Sequence, residues 1–273
     1  MQRTLIVHVY GGLCNRLRTL ISSDILAQRT GRELVCVWEM NKYLNCRFDR
    51  LFTNPFTVHY LGRLQTPFYQ LGLGPISRFI QKRQVLRLDQ EHLPQFPSLH
   101  QREEPVIWMR TCSEFRPSDM DETTWREEYV QKLNGLKPTP AIQERIEAFI
   151  GEHFSDYTVG VHIRRTDHKK AVAESTDDKF FEAMDGIAEQ NPSCRFLLAT
   201  DNSDTQADYQ RRYGDRLIAY PKRSFSRASP EAIEDAYVDL RLLGSTDQLL
   251  GSFFSSFTEM AKQFRDIPLT IIK

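Results

Sequence analysis

The sequence lacks long apolar runs. No stretch of its 273 residues approaches the roughly 18 consecutive apolar residues that a membrane span requires. Residues 1–10 also lack the long apolar region of a secretory signal, and they read instead as a short buried strand. We therefore expect no membrane span and a cytoplasmic location.

An excess of charge of one sign is also missing. Lys plus Arg and Asp plus Glu each number 36, so the formal net charge at pH 7 is zero. A chain with no net positive field does not attract nucleic acid to its whole surface. We expect no nucleic-acid partner, and any basic site must be local.

Metal and redox motifs are missing as well. The five cysteines are scattered and have no C-x-x-C spacing, so we predict reduced thiols and no metal site. The segment 11–16, Gly-Gly-Leu-Cys-Asn-Arg, is not the G-x-G-x-x-G fingerprint of dinucleotide-binding folds, so a hydride-transfer enzyme loses support. Paired glycines still let the backbone turn tightly and approach a ligand, although a tight turn alone also explains them.

The chain does contain a clear alternation of strand and helix patterns. Residues 4–10, 16–29 and 33–38 predict a β-α-β opening, and residues 106–110 and 123–133 predict a further strand and helix. Between residues 41 and 101, prolines interrupt the apolar runs, so we expect loops and short helices there. The proline-rich connector 136–140 predicts a boundary between domains 1–136 and 137–273.

The second half alternates regularly. The predicted strands are residues 157–163, 195–200, 217–220, 248–250 and 269–272, and the predicted helices are residues 140–154, 177–190, 205–213, 231–243 and 257–264. Strands separated by helices imply a parallel sheet, which makes this half Rossmann-like. Ligands of such sheets bind outside the carboxyl ends of the strands.

One predicted strand ends in His162-Ile163-Arg164-Arg165-Thr166-Asp167. Arginine presents a planar set of donors that matches phosphate oxygens, so a phosphate or diphosphate ligand is indicated. The strand period places Arg164 on the side of His162, whereas Arg165 points the other way, to pair with Asp167 or to pack on the scaffold. An Arg–Asp ion pair that merely closes the loop is the alternative.

Three further positions carry polar groups. Asp201 follows a strand, where it meets a ribose or sugar hydroxyl or else caps a helix. Asp239 faces inward from its helix, and either the N–H donors of guanine or a buried arginine would satisfy it. Ser256 with Glu259 fits a capping box, while Ser255 or the backbone of the same helix start offers an anion contact.

In their order along the chain, these motifs resemble those of the fucosyltransferase-like superfamily, which includes nodulation fucosyltransferases, α-1,6-fucosyltransferases and protein O-fucosyltransferases. The resemblance is carried by the glycine segment 11–16, by Gly-Val-His-Ile-Arg-Arg-Thr-Asp at 160–167, by Leu-Ala-Thr-Asp-Asn at 198–202, by Val-Asp-Leu at 238–240 and by Leu-Gly-Ser-Phe-Phe-Ser-Ser-Phe at 250–257. The H-x-R-R-T-D run is the most specific of them.

The resemblance implies an α/β, GT-B-like fold of two Rossmann-like domains with parallel sheets. Domain 1–136 would lie on the acceptor side, and domain 137–273 would bind the nucleotide sugar. The implied activity is a metal-independent, inverting glycosyltransferase that moves a sugar from a GDP-sugar donor, GDP-fucose by default, to a glycan or glycoconjugate acceptor. The GDP-sugar is a co-substrate, and no other cofactor is expected.

By position, the resemblance also implies residue roles. His162 and Asp239 would hold guanine, and Arg164 would hold the β-phosphate and act in catalysis. The spacing of the catalytic carboxylate in the family falls here on Val172, so we predict that Glu174, the nearest carboxylate, is the general base. The full set of predicted donor-binding residues is Gly11, Gly12, Asn15, Arg16, His162, Arg164, Arg165, Asp167, Asp201, Asp239, Ser255 and Ser256.

Other functions fit the same residues. A transferase that uses another nucleotide sugar would share the phosphate contacts, and a non-catalytic nucleotide-sugar-binding protein would explain the shifted carboxylate. A phosphate-binding oxidoreductase is disfavoured because the dinucleotide fingerprint is missing.

Overall fold

A computed structural model describes residues 2–62, 85–166 and 169–273 of the chain, without the side chains of residues 169–171. The chain divides into two compact units, of which the first comprises Met1–Lys137 and Arg227–Pro230 and the second comprises Pro138–Ser226 and Glu231–Lys273. Each unit contains a five-stranded sheet in which every described strand pair is parallel.

The sheet of the first unit has the order β3-β2-β1-β5-β4. Its strands are β1 Arg3–Val9, β2 Arg32–Glu39, β3 Thr57–Leu61, β4 Val85–Leu88 and β5 Val106–Thr111. Helices α1 Leu13–Thr30 and α2 Glu122–Asn134 accompany it, together with 3₁₀ helices at Phe48–Arg50 and Gln90–Gln101. Helix α1 ends at Gly31, whose φ of 59° is the left-handed conformation that glycine adopts at little cost.

The sheet of the second unit has the order β10-β9-β6-β7-β8. Its strands are β6 Thr158–Ile163, β7 Arg195–Thr200, β8 Leu217–Ile218, β9 Gln248–Ser252 and β10 Leu269–Ile272. Its helices are α3 Pro140–His153, α4 Lys169–Glu174, α5 Asp177–Gln190, α6 Ser203–Tyr213, α7 Pro230–Leu243 and α8 Ser256–Gln263.

Strand β6 forms the centre of the second unit. All six of its residues are buried, as expected for a parallel strand that is covered on both faces. Val159 and Val161 belong to one apolar core with Phe180 and Met184 of α5. Full burial of side chains of this size contributes about 1.5–3 kcal/mol each, so this core holds the strand in place.

The strand order of the second unit reverses beside β6. The chain runs from β6 through β7 to β8, and it then returns to place β9 on the other side of β6. Connections that leave two neighbouring strands in opposite directions open a crevice at the carboxyl ends of those strands. In the first sheet the chain goes from β3 to the opposite edge, β4, and then returns inward to place β5 beside β1.

The predicted fold class, α/β with two parallel sheets, is confirmed. The expectation of only loops and short helices between residues 41 and 101 is wrong, because β3 and β4 are strands. Both lie at sheet edges and leave several residues partly exposed, so neither shows the continuous apolar run of a buried strand. The part of that expectation that concerns residues 63–84 lies outside the described residues.

Two other expectations concern the whole chain. The assignment of residues 1–136 to the acceptor and of residues 137–273 to the donor stays a prediction. A membrane span is not found, since none of the helices in the described ranges is long and apolar enough to cross a bilayer.

Gly160 of β6 is closely packed, and this gives a test of the packing in the second unit. A Cβ at Gly160 would lie 2.6 Å from Leu249 Cδ2 and 2.9 Å from Leu243 Cδ2, whereas a Cβ at Gly186 of α5 would meet nothing within 4 Å. We expect Gly160→Ala to lower stability by about 1–3 kcal/mol through overpacking, and Gly186→Ala to raise it by about 0.5–1 kcal/mol through helix propensity. Denaturant melts of both variants check the opposite signs, and equal stabilities would contradict the packing.

Candidate functional site

His162 lies at the carboxyl end of β6, opposite Gly251 of β9. Its side chain is buried, with Nδ1 2.7 Å from the hydroxyl of Thr258 and the ring stacked on Phe257 at 4.8 Å. A Cβ at Gly251 would lie 2.2 Å from Thr258 Cγ2. Glycine at this position therefore lets α8 approach β9 closely enough for Thr258 to hold the imidazole.

The imidazole of His162 is kept neutral. Burial, helped by the nearby charge of Arg164, lowers its pKa from 6.5 to about 3. A neutral imidazole has one nitrogen that donates and one that accepts a hydrogen bond, so it can pair with a polar heterocycle without adding charge.

The loop after β6 is held from both sides. On one side, the backbone N–H of Arg164 donates to Ser252 Oγ at 3.0 Å, and this hydroxyl donates to the carbonyl of His162 at 3.3 Å. On the other side, Asp201 accepts from the backbone N–H of Arg165 at 2.8 Å and from the hydroxyl of Thr166 at 2.6 Å. Arg164 itself is half-buried. It lies at the switch point, the place between β6 and β9 where the strand order reverses.

Asp201 therefore supports the loop. Burial alone would raise its pKa, but the hydrogen bonds from Thr166 and Arg165 outweigh that effect and hold the pKa below its usual value. The alternative that Asp201 caps the next helix is wrong, because the capping residue is Asn202, whose side chain accepts from the N–H of Thr205 at 2.8 Å.

The side chain of Arg165 is held at the loop, where its Nη1 donates to the backbone carbonyl of Arg164 at 3.3 Å. The same guanidinium pairs with Asp177 at the start of α5, with Nη2 2.6 Å from Oδ1. The carboxylate of Asp177 also accepts from the hydroxyl of Tyr209 at 2.9 Å. The predicted partner, Asp167, lies outside the described residues.

The start of α8 differs from the predicted capping box. Helix α8 begins at Ser256, so the residue in the capping position is Ser255, whose side chain makes no capping hydrogen bond. The hydroxyl of Ser255 lies instead 3.4 Å from Nδ1 of His162. Ser255 thus contacts the buried imidazole and leaves the first N–H groups of α8 without a cap from this residue, a feature that suits an anion.

Asp239 of α7 is buried, as predicted, but its partner is a lysine. The ammonium of Lys222 lies 2.6 Å from Oδ2 of Asp239, and both side chains are less than 10% exposed, at 7% and 5%. Burial raises the pKa of Asp239, and the attraction to Lys222 opposes that shift. The positive charge of Lys222 also helps to lower the pKa of His162, so it lies within electrostatic reach of the imidazole.

Lys222, which lies near Asp239 and His162, was not predicted by the sequence analysis. It follows the predicted strand 217–220 by two positions. The rule that ligands bind beyond the carboxyl ends of the strands, here called the strand-end rule, could therefore have found it. The ring of Phe225, which is 39% exposed, lies 5.6 Å from its ammonium.

Glu174, the predicted general base, is the last residue of α4 and is exposed. Its backbone carbonyl accepts from the ammonium of Lys179 at 2.9 Å. The next residue, Ser175, is buried and joins the carbonyl of Ile272 to the N–H of Phe253, at 2.6 and 2.8 Å. The end of α4 is therefore tied to the turn that follows β9, while the role of Glu174 stays a prediction.

The glycine turn after β1 belongs to the first unit. Gly11 has a φ of 84°, which favours glycine, and a Cβ at Gly12 would meet nothing within 4 Å. Arg16 is fully buried beneath the turn and donates to the carbonyls of Gly11, at 2.9 Å, and of Glu39. Burial lowers its pKa to about 10.

Arg16 therefore supports the turn and has no exposed surface with which to contact a donor, which corrects the predicted contact. The physical reason is that backbone carbonyls take up its guanidinium. Asn15 is half-buried, and its buried Oδ1 has no hydrogen-bond partner in the described part of the chain, so its contact with a donor stays a prediction.

The site in the second unit thus combines a neutral imidazole, a buried Lys–Asp pair, a guanidinium and an uncapped helix start. These groups suit a ligand with a polar ring at one end and an anion at the other. Within the described ranges, no cluster of three or more His, Cys, Asp or Glu side chains could hold a metal ion.

The solved structures that this chain resembles include fucosyltransferases. A NodZ α-1,6-fucosyltransferase soaked with GDP-fucose is 21% identical, with a TM-score of 0.63, over 97% of this chain and 93% of that chain; a fucosyltransferase NodZ from Bradyrhizobium gives the same identity and TM-score. A mutant of Arabidopsis thaliana FUT1 in complex with GDP is 16% identical, with a TM-score of 0.66, over 99% and 70%. POFUT1 in complex with GDP is 12% identical, with a TM-score of 0.59, over 100% and 99%.

At these identities the similarity is one of fold, and it confirms the GT-B-like fold class. No family model matches the sequence. No curated protein matches it either.

The neutral state of His162 gives a pH prediction. Because burial lowers the pKa of His162 to about 3 in the folded chain from its ordinary value of 6.5, the unfolded chain binds the extra proton between these values. Folding stability then falls as pH drops below 6.5, by about 1 kcal/mol per pH unit from this group. We expect the melting temperature of His162→Gln to fall less than that of the wild type between about pH 7 and pH 5.

The matched control is His59→Gln, since His59 is exposed on the edge strand β3. Its melting temperature should follow the wild-type pH profile. Parallel profiles for all three proteins would show that His162 is not held neutral by the fold.

Proposed function

We propose that the protein is a glycosyltransferase that uses a GDP-sugar, with GDP-fucose as the default donor and a glycan or glycoconjugate as the acceptor. The observation that carries the proposal is the position of Arg164, whose backbone is fixed by Ser252 at the switch point between β6 and β9. The fucosyltransferases of the same fold were solved with GDP or GDP-fucose, which supports this choice of donor.

Arg164 and the start of α8 would act on the diphosphate. When a glycosyl bond to a diphosphate breaks, the sugar becomes oxocarbenium-like and the leaving group gains negative charge. A guanidinium stabilises that charge with two donors, and the uncapped N–H groups of α8 add a partial positive charge. Metal independence follows from this assignment as a further part of the proposal.

His162 and Asp239 would hold the guanine. Because Thr258 engages Nδ1 of His162, the other ring nitrogen, Nε2, would contact the base, and the carboxylate of Asp239 offers acceptors to the adjacent N–H groups of the base. Ser255 and Thr258 fix the imidazole, so its orientation does not depend on the ligand.

Glu174 would remove the proton from the acceptor hydroxyl, and the reaction would invert the anomeric carbon. The exposed position of Glu174 at the end of α4 leaves its carboxylate accessible to an acceptor. Asp167 and Asp177 are the alternative carboxylates, although Asp177 is already paired with Arg165.

A non-catalytic nucleotide-sugar-binding protein is the second candidate. It is favoured by Val172, an apolar residue that is 39% exposed where the family motif leads us to expect a carboxylate. Incubation with GDP-fucose separates the two functions: slow release of GDP supports the enzyme, whereas tight binding without turnover on any acceptor supports the binding protein.

The phosphate contact is tested at Arg164. A charge-assisted hydrogen bond contributes about 1.5–3 kcal/mol, so Arg164→Ala should weaken GDP binding by about 10- to 100-fold and slow transfer. Arg164→Lys keeps the charge but loses the two-pronged geometry, so it should recover only part of the loss. Calorimetric titration of GDP measures all three proteins.

Melting temperatures of the same variants provide the control. If Arg164 only closed the loop by an ion pair, lysine would restore stability and activity together. Equal GDP affinity in the wild type, Arg164→Lys and Arg164→Ala would end the assignment of Arg164 to the phosphate.

The general base is tested by Glu174→Gln. Loss of a general base costs about 10²–10⁴-fold in rate, while GDP affinity should stay at the wild-type value because Glu174 has no assigned contact with the nucleotide. Glu189→Gln, an exposed glutamate of α5, is the matched control. Transfer by Glu174→Gln at the wild-type rate would place the base elsewhere.

A further inference from the structure

The segment after β8 places a lysine against Asp239. The ammonium of Lys222 lies 2.6 Å from Oδ2 of Asp239, and both side chains are almost fully buried. Burying two charges is expensive even when they are paired. A lysine in this position therefore needs a reason beyond the stability of the fold.

The fold fixes the backbone on either side of Lys222. Asp235 lies one helical turn before Asp239 and accepts from the backbone N–H of Arg223 at 2.7 Å and from its Nε at 3.0 Å. On the other side, Arg145 pairs with Asp235 and donates from Nε to the hydroxyl of Tyr220 at 2.7 Å. Residues 220 and 223 are thus anchored to the same carboxylate, directly or through Arg145, and Lys222 is placed by more than its own ion pair.

This pair leaves hydrogen-bonding capacity unused. Oδ1 of Asp239 has no hydrogen-bond partner in the described ranges, and Nζ of Lys222, which carries three N–H donors, is paired there with Oδ2 of Asp239. An unsatisfied buried polar atom costs free energy that a ligand can recover. The two atoms form an acceptor next to a donor, so the complementary ligand edge has a donor next to an acceptor.

We propose that Lys222 is a specificity-determining residue that donates a hydrogen bond to O6 of the guanine of the donor, while Asp239 accepts from N1–H and the 2-amino group. This inference rests on the proposed function, since it identifies the groups that select the base. Adenine presents an acceptor at N1 and a donor at N6. It would thus face the carboxylate and the ammonium with the wrong groups, which is the kind of mismatch that gives strong discrimination.

The test uses three nucleotides and calorimetric titration. Inosine diphosphate keeps O6 and N1–H but lacks the 2-amino group, so the ratio of GDP to IDP affinity reports on Asp239 and the ratio of IDP to ADP affinity reports on O6 and N1–H. In Lys222→Met, GDP and IDP should both weaken by about 10- to 100-fold. The preference for GDP over ADP should shrink, and the ratio of GDP to IDP should remain at the wild-type value.

Lys132→Met is the matched control. Lys132 pairs with Asp24 in the first unit at the same 2.6 Å, so its variant loses an ion pair of equal length without touching the proposed base contact. All three affinities should be those of the wild type. Lys222→Gln keeps an N–H donor without the charge, so it should retain part of the preference for GDP over ADP.

The outcomes separate this inference from the proposed function. A wild type that binds none of the three diphosphates would contradict the proposed function. A wild type that binds GDP but has equal affinity for IDP and ADP would overturn the role of Lys222, and this measurement does not depend on a variant that folds. An unchanged ratio of GDP to ADP affinity in Lys222→Met would also overturn it, because the lysine would then serve only as the counter-charge of Asp239.

Discussion

The parallel ladder between β6 and β9 is the constraint on which the candidate site of the second unit depends. It pairs His162 with Gly251 and brings the last residue of β9, Ser252, next to the backbone of Arg164. Because Gly251 has no side chain, Thr258 of α8 reaches the imidazole. A slip of this register by one residue would turn His162 to the other face of the sheet and would separate it from α8.

The carboxylates of the second unit then divide into two kinds. Asp201 and Asp235 accept backbone N–H groups and fix the segments that follow β6 and β8. Asp239 fixes no backbone, and one of its oxygens has no hydrogen-bond partner in the described part of the chain. Carboxylates of the first kind make the site rigid before a ligand arrives, and this preorganisation lowers the cost of binding.

The strand-end rule predicts much of this site from the sequence, because His162, Arg164 and Asp201 end or directly follow buried strands that are easy to identify. The edge strands β3 and β4 could not be predicted, because half-exposed strands have no continuous apolar run. The partner of Asp239 depends on how the segment after β8 packs on α7, a contact between residues distant in sequence that local patterns do not encode. Ser255 rather than Ser256 takes the capping position, and its hydroxyl lies near a buried imidazole, which is again a tertiary contact that the local sequence does not reveal.

The charges of the site are distributed in a way that fits a nucleoside diphosphate. The imidazole of His162 is neutral, and the charges of Lys222 and Asp239 compensate each other, so the buried part adds polarity without net charge. Arg164 and the start of α8, at the carboxyl edge of the sheet, carry the positive potential. A nucleobase is uncharged and rich in donors and acceptors, whereas the diphosphate is anionic. A free phosphate would use only the second part of the site and a nucleoside only the first. The arrangement therefore favours a ligand that joins the two, and under our proposal the polarity of the buried part selects the base.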